Sequence, residues 1–151
     1  MKQKVPSIVD EVVAEYRRAV EKFPPYHSEN QSENGIIYLA CPYAHPDPVV
    51  RDWRYNTACR TAAQLIKQGY AVFSPLSHSL PIAKSGDLPD TDTGFWLKQD
   101  LLFLRLCGKV FVLTLPGWEE STGVRAEIAE AKKRNIPVMF IDREEITCAT
   151  S

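Results

Sequence analysis

The segment Ser121-Thr-Gly-Val-Arg-Ala-Glu127 has residue types and a spacing suited to chemistry. It follows an apolar run, Val110 to Leu115, and opens a helical pattern carried by Ile128, Ala129 and Ala131. A helix N-terminus presents unsatisfied N–H groups and the positive end of the backbone dipole, and small residues such as Ser121 and Gly123 leave room for a phosphate there. Glu127 is placed about one turn further in, toward the same cleft. A carboxylate beside such a site can attack or polarise an electron-poor sugar carbon, which is the logic of glycoside cleavage. The plainer alternative is an ordinary N-cap followed by a solvated glutamate.

The elements that must position these residues follow from hydrophobic periodicity. Ile36 to Ala40 is apolar, too short for a helix and flanked by Gly35 and Pro42, so it reads as a buried strand. A helix is expected from about Asp47 to Gln68, stopped by Gly69, and a second strand over Ala71 to Phe73. Ser74 to Thr93 reads as a long loop, followed by a helix through Phe95 to Leu106, the strand Val110 to Leu115, a helix over Gly123 to Arg134 and a strand over Pro137 to Ile141. This alternation predicts an α/β fold, a Rossmann-like (flavodoxin-like) three-layer sandwich with a mostly parallel sheet. Ligands of such sheets bind beyond the carboxyl ends of the strands, where the loops Cys41 to Arg51, Ser74 to Thr93 and Pro116 to Thr122 open. Ahead of this unit, Ser7 with Asp10 resembles a capping box, and Ile8, Val9, Val12, Val13, Tyr16 and Val20 keep helical spacing. The breaker-rich stretch Phe23 to Gly35 reads as a linker, so residues 1–34 are expected to form an N-terminal helix with a polar linker and residues 35–151 the α/β domain.

Composition narrows the function classes. Eighteen Lys and Arg against 19 Asp and Glu give a net charge of −1, with no basic field for nucleic acid. No apolar run approaches membrane-spanning length and no signal peptide precedes the domain, so no membrane association and a cytoplasmic location are expected. Cys41, Cys59, Cys107 and Cys148 are scattered, the three His are dispersed, and neither G-x-G-x-x-G nor a Walker pattern occurs. Reduced thiols, no metal and no cofactor are the expectations, with Cys41 read as small buried filler rather than a nucleophile.

Ile36-Ile-Tyr-Leu-Ala-Cys-Pro-Tyr43, Trp96-Leu-Lys-Gln-Asp100 and Ser121-x-Gly-x-x-x-Glu127 together resemble the nucleoside 2-deoxyribosyltransferase superfamily from about Gly35 to Ile141. Within it, Cys-Pro-Tyr-Ala-His and the Pro-Gly-Trp before Ser121 look most like a poorly characterised bacterial and phage branch. The resemblance implies that Glu127 is the nucleophilic or catalytic glutamate, that Tyr38 orients it, and that Asp100 acts near the sugar and base. Tyr38 as core filler and Asp100 as a solvated helix residue remain alternatives. Base-exchanging relatives generally carry an acidic residue where this chain has Ser121, whereas 2'-deoxynucleoside 5'-phosphate N-hydrolases look like Ser-x-Gly there. A serine hydroxyl accepts a phosphate that a carboxylate repels.

The resemblance therefore implies hydrolysis of the base–sugar bond of a nucleoside 5'-monophosphate, or a related deoxyribosyl transfer. Cys41-Pro42-Tyr43 departs from the Gly-Ser loop of the phosphate-handling relatives, and Pro42 offers no N–H. Cys41, Tyr43, His45 and Arg51 are the candidate substrate contacts of that loop, with Arg54 and Arg125 as further sources of positive charge. His78 is a candidate base or sugar contact. Trp53, Tyr55, Trp96 and Trp118 read as exposed aromatics, which predicts a homodimer or larger homo-oligomer; the plainer alternative is that these rings pack within the monomer or line its pocket. The competing readings are a nucleotide-sensing module without turnover and a structural oligomer with a degenerate site.

Overall fold

The computed structural model describes residues 7–22 and 35–144, so the linker expected over 23–34 and Cys148 lie outside the described residues. Four strands, β1 (Ile36–Ala40), β2 (Ala71–Phe73), β3 (Lys109–Leu113) and β4 (Val138–Ile141), form a sheet in the order β2-β1-β3-β4. All three pairings are parallel, with Tyr38 opposite Phe73 on one side and Val110 on the other. The chain leaves β1 for one edge and returns on its other side to β3. That reversal opens a crevice at the carboxyl ends of β1 and β3.

Helices cover both faces. The period of two along a strand sends Ile37 and Leu39 of β1, with Phe111 and Leu113 of β3, into one core together with Ala62 and Leu65. Tyr38 and Ala40, with Val110 and Val112, enter the opposite core against Leu104, Val124 and Ala131. Ala62 and Leu65 belong to α2 (Pro48–Lys67), Leu104 to α4 (Thr93–Leu104), and Val124 and Ala131 to α5 (Thr122–Lys133). The alternation thus puts Tyr38 on the face that α5 covers.

The segment expected as a long loop after β2 contains a helix instead, α3 (Pro75–Gly86). Ser74 caps it through its hydroxyl and Pro75 fills the first turn, where no N–H is needed. Pro81 sits inside it and masks the helical signal. His78 is consequently a helix residue, not a loop residue.

At the N-terminus, α1 (Ile8–Glu21) has the expected capping box between Ser7 and Asp10. Every residue of α1 is exposed, including the apolar stripe from Ile8 to Val20. Among the described residues no helix is long and apolar enough to cross a membrane.

Candidate active site

A cavity of about 780 Å³ opens at the sheet's carboxyl edge, within the range of roughly 300–1,000 Å³ usual for small-molecule sites. Its walls come from the loop after β1, the helices α2, α3 and α4, and the start of α5. Cys41, Tyr43, His45, Asp100, Ser121, Gly123 and Glu127 all line it.

Glu127 lies on the inner face of α5 and is buried to 6% exposure. The Tyr38 hydroxyl donates to its Oε1 at 2.7 Å, while its Oε2 has no partner. Tyr38 itself is fully buried, so the pair joins β1 to α5 beneath the cavity floor. Burial pushes the Glu127 carboxyl up to about 8; the Tyr38 hydrogen bond opposes this and the nearby Asp100 charge adds to it. Burial, with the Glu127 charge second, holds the Tyr38 phenol well above its ordinary value, so it remains a donor.

Asp100 is buried rather than solvated, and burial raises its carboxyl to about 6. Its Oδ1 is also without a partner. Four buried side-chain polar atoms among the described residues lack partners: Arg54 Nε, Ser79 Oγ, Asp100 Oδ1 and Glu127 Oε2. All four belong to residues of this cavity. Buried polar groups are ordinarily satisfied, and their concentration here marks a surface organised for something other than folding.

Arg54, weighed from sequence as a surface residue or a phosphate contact, is buried and structural in its main bonds. Its Nη1 donates to the carbonyls of Ala44 at 3.0 Å and Tyr43 at 3.4 Å, and its Nη2 to Pro116 at 2.7 Å. One guanidinium therefore ties the loop after β1 to the loop after β3 across the crevice. Gly117, at φ +89°, lies so close that a Cβ there would stand 2.7 Å from Nη2. His45 Nδ1 accepts the Asp47 N–H at 3.0 Å. That bond occupies Nδ1 and leaves Nε2 as the ring's other polar atom.

Other sequence-derived candidates lie elsewhere. Arg51 donates to the carbonyls of His45 at 2.6 Å and Pro46 at 3.1 Å and does not line the cavity, nor does Arg125. His78 packs its ring against Phe73 and Phe103, with centroids 5.5 and 5.6 Å away, outside the cavity wall. Trp53, Tyr55, Trp96 and Trp118 are half-buried rather than exposed: Trp53 and Trp96 line the cavity and Trp118 packs on Phe140. Cys41 lines the cavity half-buried, and burial drives its thiol well above the ordinary range, which disfavours the thiolate a nucleophile needs.

Sequence reasoning missed Asp90, Glu120 and Ser79 as cavity residues, whereas Trp53 and Trp96 take the pocket-lining place that was the alternative to exposure. Asp90 and Glu120 join Asp100 and Glu127, giving four carboxylates against the single guanidinium of Arg54. The capping signature Ser74-Pro75 was the signal that leads to Ser79. Among the described residues no group of three or more His, Cys, Asp or Glu is placed to hold a metal.

Among solved structures, a 2-deoxyribosyltransferase from the psychrotolerant bacterium Bacillus psychrosaccharolyticus is similar to this chain at 21% identity and a TM-score of 0.48, over 71% of this chain and 72% of that one. No curated protein matches the chain. Residues 35–143 match the family described as a domain of unknown function, DUF1937, and the chain belongs to that family.

Proposed function

We propose that this protein cleaves the N-glycosidic bond of a nucleoside or nucleoside 5'-monophosphate, with hydrolysis preferred over base transfer. The observation that carries the reading is Glu127: a buried carboxylate at a cavity wall, one oxygen held by Tyr38 and the other unpartnered. The ionised form attacks the anomeric carbon or stabilises its oxocarbenium character, and the bond to the base breaks with its electron pair leaving on the base. The departing base nitrogen takes up its proton from solvent, and Asp100, as a carboxylate, orients the incoming water. Water then replaces the enzyme at the anomeric carbon and gives up its proton to a carboxylate. Tyr38 keeps Glu127 in one orientation throughout.

The α5 N-terminus, with Ser121 and Gly123 in the wall, supports a 5'-phosphate as part of the substrate. The four carboxylates and the committed Arg54 favour an uncharged 5' end, so both forms belong in the assay. In the same reading residues 35–151 are the catalytic unit and residues 1–34 an appendage. A homo-oligomer is supported by the uncovered apolar stripe of α1 and by Met139 and Phe140 of β4, which are 50% and 52% exposed.

Incubation with a panel of nucleosides and their 5'-monophosphates, with free base followed by chromatography, tests the reading. The wild type should release base from at least one, and Glu127→Gln should lose at least roughly a hundredfold in rate while still binding. No base from any member of the panel, or a variant within about tenfold of wild type, overturns it.

A further inference from the structure

Ser79 is the one polar residue on the face that α3 turns to the cavity; Pro75, Leu76, Leu80 and Ala83 make up the rest of that wall. It is 7% exposed, and its hydroxyl has no hydrogen-bond partner. A serine within a helix ordinarily returns its hydroxyl to a carbonyl one turn back, and Ser79 does not. Folding gains nothing from a buried hydroxyl left unpaired, so an apolar residue would serve the core better.

The surroundings indicate what such a hydroxyl is for. Trp53 and Trp96 bring two indole rings to the same cavity, and the Trp96 N–H is already committed to the Pro89 carbonyl at 2.6 Å. Trp96 therefore offers apolar ring surface and no free donor. An apolar helix face, aromatic rings and one hydroxyl that both donates and accepts match a flat heteroaromatic ring with a polar edge. We propose that the α3 wall is the nucleobase subsite and that Ser79 is its specificity-determining contact, hydrogen-bonding the base edge. The hydroxyl, held by no partner in the wall, is free to turn about χ1 when a ligand is present. The proposal rests on the nucleoside reading of the cavity.

Calorimetric titration of the wild type and Ser79→Ala with free adenine, hypoxanthine, cytosine and uracil tests it apart from turnover. At least one base should bind the wild type, and Ser79→Ala should weaken that base by about three- to tenfold, the usual worth of one hydrogen bond. Ser79→Ala should also melt at or above the wild-type temperature, since it loses only an unpaired group. No binding of any base, equal binding by the two proteins, or a variant that melts well below the wild type overturns the proposal. A chain that binds a base through Ser79 yet releases none from nucleosides keeps the subsite and loses the glycosidase reading. A chain that releases base with the same KM in Ser79→Ala does the reverse.

Discussion

Replacing Tyr38 by Phe removes a single oxygen from the fully buried floor of the cavity, and its effect can be worked out from the geometry. The hydroxyl donates to Glu127 Oε1 at 2.7 Å and favours the charged carboxylate. A hydrogen bond to a charged group is worth roughly 1.5–3 kcal/mol, and about 1.4 kcal/mol corresponds to one pH unit. The Glu127 carboxyl, at about 8 in the wild type, should therefore move up by roughly one to two units in Tyr38→Phe. At pH 7 the ionised fraction falls from about a tenth to between about one in a hundred and one in a thousand. The rate of base release at that pH should drop by roughly ten- to a hundredfold and recover as the pH is raised toward about 10. Asp100→Asn acts with the opposite sign, because removing a like charge lets Glu127 ionise more easily; its acid limb should move to lower pH. The assay is kcat/KM for base release across the pH range, with each variant's melting temperature as a control. A Tyr38→Phe profile reduced equally at every pH, with its acid limb unmoved, would show that the hydroxyl does not govern the ionisation of Glu127. Limbs that move in the same direction in the two variants would equally refute the electrostatic account.

Three further outcomes are expected. Glu127→Gln should change how stability depends on pH. With a folded-state value of about 8 against 4.5 ordinarily, the protonated glutamate stabilises the wild type below about 4.5, and that contribution is lost as the pH rises through about 8. The wild-type melting temperature should accordingly fall relative to the variant between those limits, and parallel curves would contradict the assignment. Ser121→Asp keeps an equally good N-cap but sets a charge at the α5 N-terminus, so it should weaken use of 5'-monophosphates selectively in steady-state assays; an equal effect on nucleosides would remove phosphate from the substrate. Light scattering at micromolar concentration should give a mass above one chain, and deleting residues 1–34 should reduce it if α1 holds the assembly together; a monomeric full-length protein would refute the oligomer.

The strands are legible from the chain because a parallel sheet buried on both faces needs continuous apolar runs, and Ile36 to Ala40 and Val110 to Leu113 are such runs. The meeting of Tyr38 and Glu127 follows from resemblance first and from the period of two along β1 second. What stays hidden is set by tertiary context. Pro81 inside α3 makes a helix read as a loop, because a mid-helix proline costs a hydrogen bond that only the packing of Leu80 and Ala83 can offset. Asp90 and Glu120 carry no local signal of a cavity role, because only the folding of their loops brings them into the wall. Arg54 looks like a helix-start cation, since nothing in its sequence neighbourhood points to Pro116. His78 looks like a ligand because a lone histidine carries no sign that two phenylalanine rings flank it.

The partners of Arg54 have one property in common: all three acceptors are main-chain carbonyls, from Tyr43, Ala44 and Pro116. Every residue presents a carbonyl, so this brace does not depend on which side chains the two loops display. The loops after β1 and β3 are free to change what they offer a ligand while the distance between them is kept, and Arg54→Lys, which loses the planar fork, should loosen the crevice whatever those side chains are. Gly117 is the exception to that freedom. Its positive φ and its nearness to the guanidinium leave no space for a side chain, and new specificity in this scaffold is to be sought by varying the residues around it rather than at it.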